Sequence, residues 1–290
     1  MKLDWFKSRH FLFDLALAIL IIVVIILIDI LIIKIKSNPA EEKIEINKEK
    51  EQEQEILIPI EADKKVFIPI LNFHHIANAP AGLSKIAQSF YIEPESFEKD
   101  LNDLLDNNYH PVFLSEIVNN LQQGKMPKEK IVVITFDDGN EDFYTAAWPI
   151  LQKLKIKSNM YVMTGVHGKN WLTPEQIIEL DKSGLVEIGS HTVWHPYIKR
   201  VSKERQWQEL NDSKIFLDKL LNKSINIICY PFGMYNKQIM DLAKQAGYDA
   251  GLTFDQDAWQ NPADLMALKR ISIYPGLNII NFLEKLKNGK

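Results

Sequence analysis

The sequence predicts a parallel α/β sheet or barrel carried behind a single membrane-spanning helix. Three observations predict it. One apolar run near the N-terminus is long enough to cross a bilayer; beyond Val66, short strand-like runs alternate with amphipathic helical ones; and the chemically active side chains follow directly after two of those runs. The chain has 290 residues, 46% hydrophobic and 25% charged, which is enough material for a packed core. Lys and Arg number 34 against 38 Asp and Glu, a net charge of −4, so there is no general electrostatic case for a nucleic-acid partner. The single cysteine, Cys229, excludes an internal disulfide framework and a zinc site built from several thiolates.

In chain order, a short segment at 1–10 precedes the predicted anchor at 11–33. Its core, LALAILIIVVIILIDILII, runs from Leu15 to Ile33 with only Asp29 interrupting it, about 28 Å as a helix against a hydrocarbon thickness of about 30 Å. That is longer than the apolar region of a cleaved signal peptide, and the sequence around Pro39 and Ala40 makes a poor cleavage site, so an uncleaved signal anchor is expected. Lys2, Lys7 and Arg9 on one flank are balanced by Lys34, Lys36 and Lys43 on the other, leaving orientation nearly unspecified. Residues 34–65, with EEKIEINKEKEQEQE at 41–55, read as a charged stalk, and the folded domain is expected at 66–290.

Within that domain, VFIPILNF (66–73), IVVITF (131–136), SNMYVM (158–163), LVEIGS (185–190), INIICY (225–230) and DAGLTF (249–254) have the length and β-branched content of buried strands. Helices are signalled between them. Pro94 opens a segment with Phe97, Leu101, Leu104 and Leu105 on one face; Thr173, Pro174 and Gln176 form a capping box around an N-terminal proline; Ser202 starts a segment carrying Trp207, Leu210, Leu217 and Leu221; and Gly247 closes the helix from Asn236.

IVVITF runs straight into Asp137-Asp138-Gly139. Two adjacent carboxylates at a buried strand end cannot both ionise freely without a cation or donor nearby. LVEIGS runs into His191 and His195, whose spacing lets two imidazoles face one way across a helical turn and share a metal. One Asp with two His makes a three-ligand N/O set with open positions, the pattern of a catalytic divalent metal, and the second Asp is left over as a base.

TFDDG (135–139), SHTVWHP (190–196), YPFG (230–233) and the opening FHHI (73–76) together resemble the polysaccharide deacetylases of carbohydrate esterase family 4, the NodB-homology domain. The resemblance spans about Ile68 to Leu286 and is closest to the exported poly-N-acetylglucosamine deacetylases. It implies a distorted (β/α) barrel. It also implies that Asp138, His191 and His195 hold one divalent metal, zinc with cobalt or nickel as alternatives, that Asp137 is the base, and that the Tyr230 backbone N–H stabilises the oxyanion. The family's C-terminal Leu-x-His acid is missing from ALKRISIYPG, and His74 matches the position that supplies the acid from the domain start instead. The family's orienting Arg is missing beside Tyr230, and Arg270 is the substitute. His75 reads as a surface or supporting residue and Cys229 as a small core residue. Trp171, Trp194 and Tyr235 lie in loops near the motifs and could stack on sugar rings.

The resulting expectation is a single-pass protein of the cell membrane, its catalytic domain outside, removing acetyl groups from N-acetylglucosamine residues of an extracellular polysaccharide. Peptidoglycan N-acetylglucosamine is the alternative substrate, and a metal-dependent glycan-binding protein without turnover is the alternative of another class.

Overall fold

The structure, a computed structural model, describes residues 57–61 and 64–289. The predicted anchor at 11–33 and most of the stalk lie outside the described residues, among which no helix is long and apolar enough to cross a membrane.

Seven parallel strands form the frame: β1 (Ile70–Phe73), β2 (Lys130–Phe136), β3 (Ser158–Val162), β4 (Val186–Ser190), β5 (Ile227–Cys229), β6 (Ala250–Gln256) and β7 (Leu268–Ser272). Each pairs with the next in sequence, and β7 returns to β1, so the sheet closes on itself as a barrel; Tyr109–Pro111 adds a further parallel strand against the start of β2. The runs form strands because both of their faces are buried. Along β2, Ile131 and Val133 point into the barrel while Val132, Ile134 and Phe136 point out toward the helices. Removing each such side chain from water contributes roughly 1.5–3 kcal/mol.

The outer layer holds α1 (Pro94–Asp106), α3 (Trp148–Leu154), α4 (Pro174–Lys182), α5 (Lys203–Leu221), α6 (Lys237–Ala246) and α7 (Ile279–Lys287), and α2 (Leu114–Gln122) has a different task. Leu114, Ile117, Val118 and Leu121 of α2 pack with Ile70, Ile131 and Ile227 from inside the barrel and plug the end where strands begin. Loops at the opposite end, beyond the strand C-termini, are left to build a site.

The predicted caps form as expected: Thr173 and Gln176 exchange hydrogen bonds, Ser202 and Asn236 accept from the third residue of their helices, and Gly247 ends α6 at φ +96°. Two expectations change. Leu57–Pro59 pairs antiparallel with Lys125–Pro127, so residues assigned to the stalk belong to the folded unit and the domain starts before Val66. His191 and His195 do not lie on a helical turn; they sit in a loop whose path is set by left-handed backbone at Thr192 (φ +67°) and His195 (φ +53°).

Candidate active site

The end of β2 separates its two carboxylates. Asp138 (φ +75°) and Gly139 (φ +81°) turn the chain sharply beside Val162, whose Cγ1 would lie 3.1 Å from a Cβ at Gly139. Left-handed backbone at an aspartate is uncommon and costs energy, which the packed strand end supplies. As a result Asp137 points into the barrel and Asp138 toward β4.

Asp137 is 1% exposed and saturated with donors. Arg270 on β7, itself fully buried, makes a bidentate pair with it, Nη1 to Oδ1 and Nη2 to Oδ2, both at 2.8 Å. Asn72 on β1 donates to Oδ2 at 3.0 Å, and the Cys229 thiol lies 3.5 Å from Oδ1. Burial alone would push this carboxyl up; the Arg270 guanidinium beside it outweighs burial and holds it well below the usual carboxylate range. Asp137 therefore stays ionised and fixed in orientation. Arg270, read from the sequence as the substitute orienter, lies against Asp137, and burial pushes the Cys229 thiol up, keeping it a neutral core residue.

Asp138 meets the histidines instead. Its Oδ1 is 3.4 Å from His191 Nε2 and 3.9 Å from His195 Nε2, and one donor atom from each residue lies within 4.8 Å of the others. His191 Nδ1 is 2.8 Å from the Cys229 carbonyl, which accepts its proton and turns Nε2 toward Asp138, the support expected for a ligating imidazole. Burial opposes charge on this ring, but Cys229 and the Asp138 carboxylate hold its pKa well above the usual imidazole range, so a cation would take the place of the Nε2 proton. Burial first, and His191 second, push His195 down to about 4, so its ring is neutral and able to ligate at physiological pH. The loop between them is pinned by Glu209, whose Oε2 accepts from the Val193 and Trp194 amides at 2.8 Å each. A second grouping, Asp137, His191 and Cys229, is equally compact. Its carboxylate is already neutralised by Arg270 and its thiol is protonated, so the Asp138 set is the one that fits a divalent cation.

His74 follows β1 directly. Its Nε2 is 3.9 Å from Asp137 Oδ2, and its ring packs between Phe90 at 4.6 Å and Phe254 at 5.9 Å. Burial lowers its pKa, with Asp137 and Asp138 partly restoring it, which makes the protonated ring a stronger acid. His75, also on the cavity wall, is bonded to Asp142 at 2.6 Å and stacked on Tyr91. His74, Asp137, Asp138, His191 and His195 open together into a cavity of about 550 Å³, walled by Leu83, Ile86, Phe90, Phe232 and Phe254.

Tyr230 does not serve as read from the sequence. Its N–H donates to the Leu252 carbonyl at 3.0 Å inside the sheet, and its ring is buried against Gly251. Pro231 then ends the ladder, and Phe232 takes a left-handed conformation (φ +55°) beside His195 with its N–H given no acceptor among the described residues. The signal was present in YPFG: a proline after a strand followed by glycine marks the turn at Phe232. The three aromatic candidates also lie off the cavity. Trp194, 56% exposed, covers Gly165; Tyr235 bonds Asp255 at 2.8 Å; and Trp171 bridges to Asn140. Phe90, Tyr91, Phe232 and Phe254 line it instead. Asn72 was also missed, though a polar residue inside the apolar run PILNF is itself a signal.

A buried, ionised carboxylate beside three side chains able to hold a metal and an imidazole, at the open end of a parallel barrel, is the side-chain set of a hydrolase site. A family profile described as polysaccharide deacetylase matches residues 124–251. The chain is 32% identical over 220 residues, 76% of its length and 76% of the other's, to YxkH of Bacillus subtilis, classed by name with the polysaccharide deacetylases. It is 27% identical over 210 residues, 65% of its length and 72% of the other's, to the poly-beta-1,6-N-acetyl-D-glucosamine N-deacetylase of Staphylococcus aureus. Among solved structures, the Streptococcus pyogenes deacetylase PplD in complex with acetate superposes with a TM-score of 0.71 at 32% identity, over 77% of this chain and 99% of that one. IcaB from Ammonifex degensii shares the fold, with a TM-score of 0.65 at 21% identity over 75% and 95% of the two chains. The chain belongs to the polysaccharide deacetylase family, and it is a polysaccharide N-deacetylase, a hydrolase of carbohydrate esterase family 4.

Proposed function

We propose that this enzyme removes acetyl groups from N-acetylglucosamine residues of an extracellular polysaccharide of the poly-β-1,6-linked type, on the outer side of the cell membrane. The observation that carries the reading is His74 directly after the strand that opens the barrel, 3.9 Å from Asp137, where it supplies the acid that the C-terminal stretch lacks. The similarity to the S. aureus enzyme supports the glycan class. The apolar run at Leu15–Ile33 supports the membrane location.

In this reading Asp138, His191 and His195 hold a divalent cation, zinc by the chemistry of the donors, with cobalt or nickel as alternatives. When bound, it supplies Lewis-acid polarisation of the acetamide carbonyl and of water. Asp137, held ionised by Arg270, takes a proton from the attacking water as its oxygen bonds to the carbonyl carbon. The Phe232 N–H, in place of that of Tyr230, donates to the developing oxyanion. His74 gives its proton to the nitrogen as the carbon–nitrogen bond breaks, releasing acetate and leaving an amine. Phe90, Phe232 and Phe254 make a low-polarity wall that suits a sugar face and a methyl group.

The test is acetate release by the folded domain on β-1,6-linked N-acetylglucosamine oligomers and on purified peptidoglycan, with and without chelator. Chelator-sensitive release from the oligomers is expected. Release from peptidoglycan alone would move the substrate to the cell wall, and glycan binding without acetate would remove the enzymatic reading. Protease treatment of intact cells that spares the domain would overturn the outward location.

A further inference from the structure

Asn72 is 1% exposed on β1, in register with Thr135 of β2 on one side and Ser272 of β7 on the other. Its Nδ2 donates to Asp137 Oδ2 at 3.0 Å, while its Oδ1 is buried with no protein partner among the described residues. The amide cannot be turned the other way, because Oδ1 would then face an ionised carboxylate. An apolar residue of the same size would leave no orphaned acceptor but would take a donor from a buried ionised carboxylate, so what sets Asn72 apart from its neighbours Ile70 and Leu71 is its bond to Asp137. Its one protein contact through the amide is to the proposed base. The Arg270 fork ties Asp137 to β7. Asn72 ties the same carboxylate to β1, the strand that delivers His74 two residues later.

We propose that Asn72 is a positioning residue that sets the spacing between Asp137 and His74. The inference rests on Asp137 and His74 being base and acid. Removing one hydrogen bond to a charged group predicts a fall in kcat of about tenfold to a hundredfold in Asn72→Leu, with KM within about twofold. Bound metal stays unchanged, and the melting temperature falls by no more than a few degrees, because the Arg270 fork still compensates Asp137. Asn72→Ala, which cannot overfill the site, repeats the measurement if the leucine variant does not fold. In the double variant with Arg270→Lys the losses should be less than additive, because both residues act on one carboxylate. Full kcat in both single variants overturns the proposal. So does a kcat loss that comes only with lost metal or with unfolding at the assay temperature, which marks a structural role. Asp137→Asn is measured alongside: if it keeps activity, the acid–base reading has failed, and if it is inactive while Asn72→Leu is not, only the positioning role has.

Discussion

Asp137 and Asp138 are neighbours in sequence with the same side chain, and the barrel gives them opposite surroundings. Asp137 is sunk among Arg270, Asn72 and Cys229, every contact a donor or a cation. Asp138 stands at the cavity, its carboxylate facing Nε2 of two imidazoles. In the proposed mechanism, one residue of left-handed backbone separates the carboxylate assigned to proton transfer from the one assigned to the cation. Environment, not residue type, assigns the role.

The largest expected effects break that contrast directly. Asp138→Asn should lose bound metal and bring acetate release to background, whereas Asp137→Asn should keep its metal and lose about three orders of magnitude in kcat, within the range for a positioned base. Metal analysis and kinetics on the same samples check both, and turnover by metal-free Asp138→Asn protein would end the distinction. His74→Ala comes next, with kcat reduced about 10²- to 10⁴-fold and metal content unchanged; a rate equal to the parent enzyme would remove its acid role.

Arg270→Met sharpens the comparison through stability. It strands the Asp137 carboxylate in a buried site, an expected loss of about 3–5 kcal/mol in denaturant unfolding, because breaking a buried pair leaves a charge uncompensated. Adding Asp137→Asn should return much of that stability without restoring turnover. If Arg270→Met alone unfolds at the parental midpoint, the pair is not what holds Asp137 ionised.

The strand ends were legible because burial on both faces leaves continuous β-branched runs, and the two motifs follow those runs without a gap. Helices α1, α4, α5 and α6 were legible from their caps. Less visible were α2, which faces the barrel interior, and α3, whose start is obscured by Pro149 and a preceding π turn at Phe143–Ala147. Asp137, Asp138, His191, His195, His74 and Arg270 do converge, although they come from four strands spread over 197 positions between His74 and Arg270. Tyr230 was misplaced because the end of hydrogen bonding along β5 depends on where Pro231 stops the ladder. The aromatic wall escaped because Phe90 and Phe254 reach the cavity from segments with no motif of their own.

The smallest expected effect comes from a third carboxylate that has neither kind of partner. Asp100 on α1 is half-buried beside a second cavity, and its neighbour Lys99 is turned to Asp103 at 2.5 Å. Burial pushes Asp100 up to about 6, with Lys99 opposing and Asp103 adding to the rise. Its folded value lies above its unfolded value of 3.8, so the stability its proton supplies is complete below about pH 4 and is lost as pH rises through about 6. Asp137 runs the other way: its folded value is depressed, so its contribution is present above the ordinary carboxylate range and is lost as pH falls. Asp100→Asn should therefore raise stability by about 1 kcal/mol at about pH 7.5, allowing for solvent screening, and leave it unchanged at about pH 4. Thermal melts at the two pH values check this. A gain of equal size at both would mean that burial does not penalise the Asp100 carboxylate.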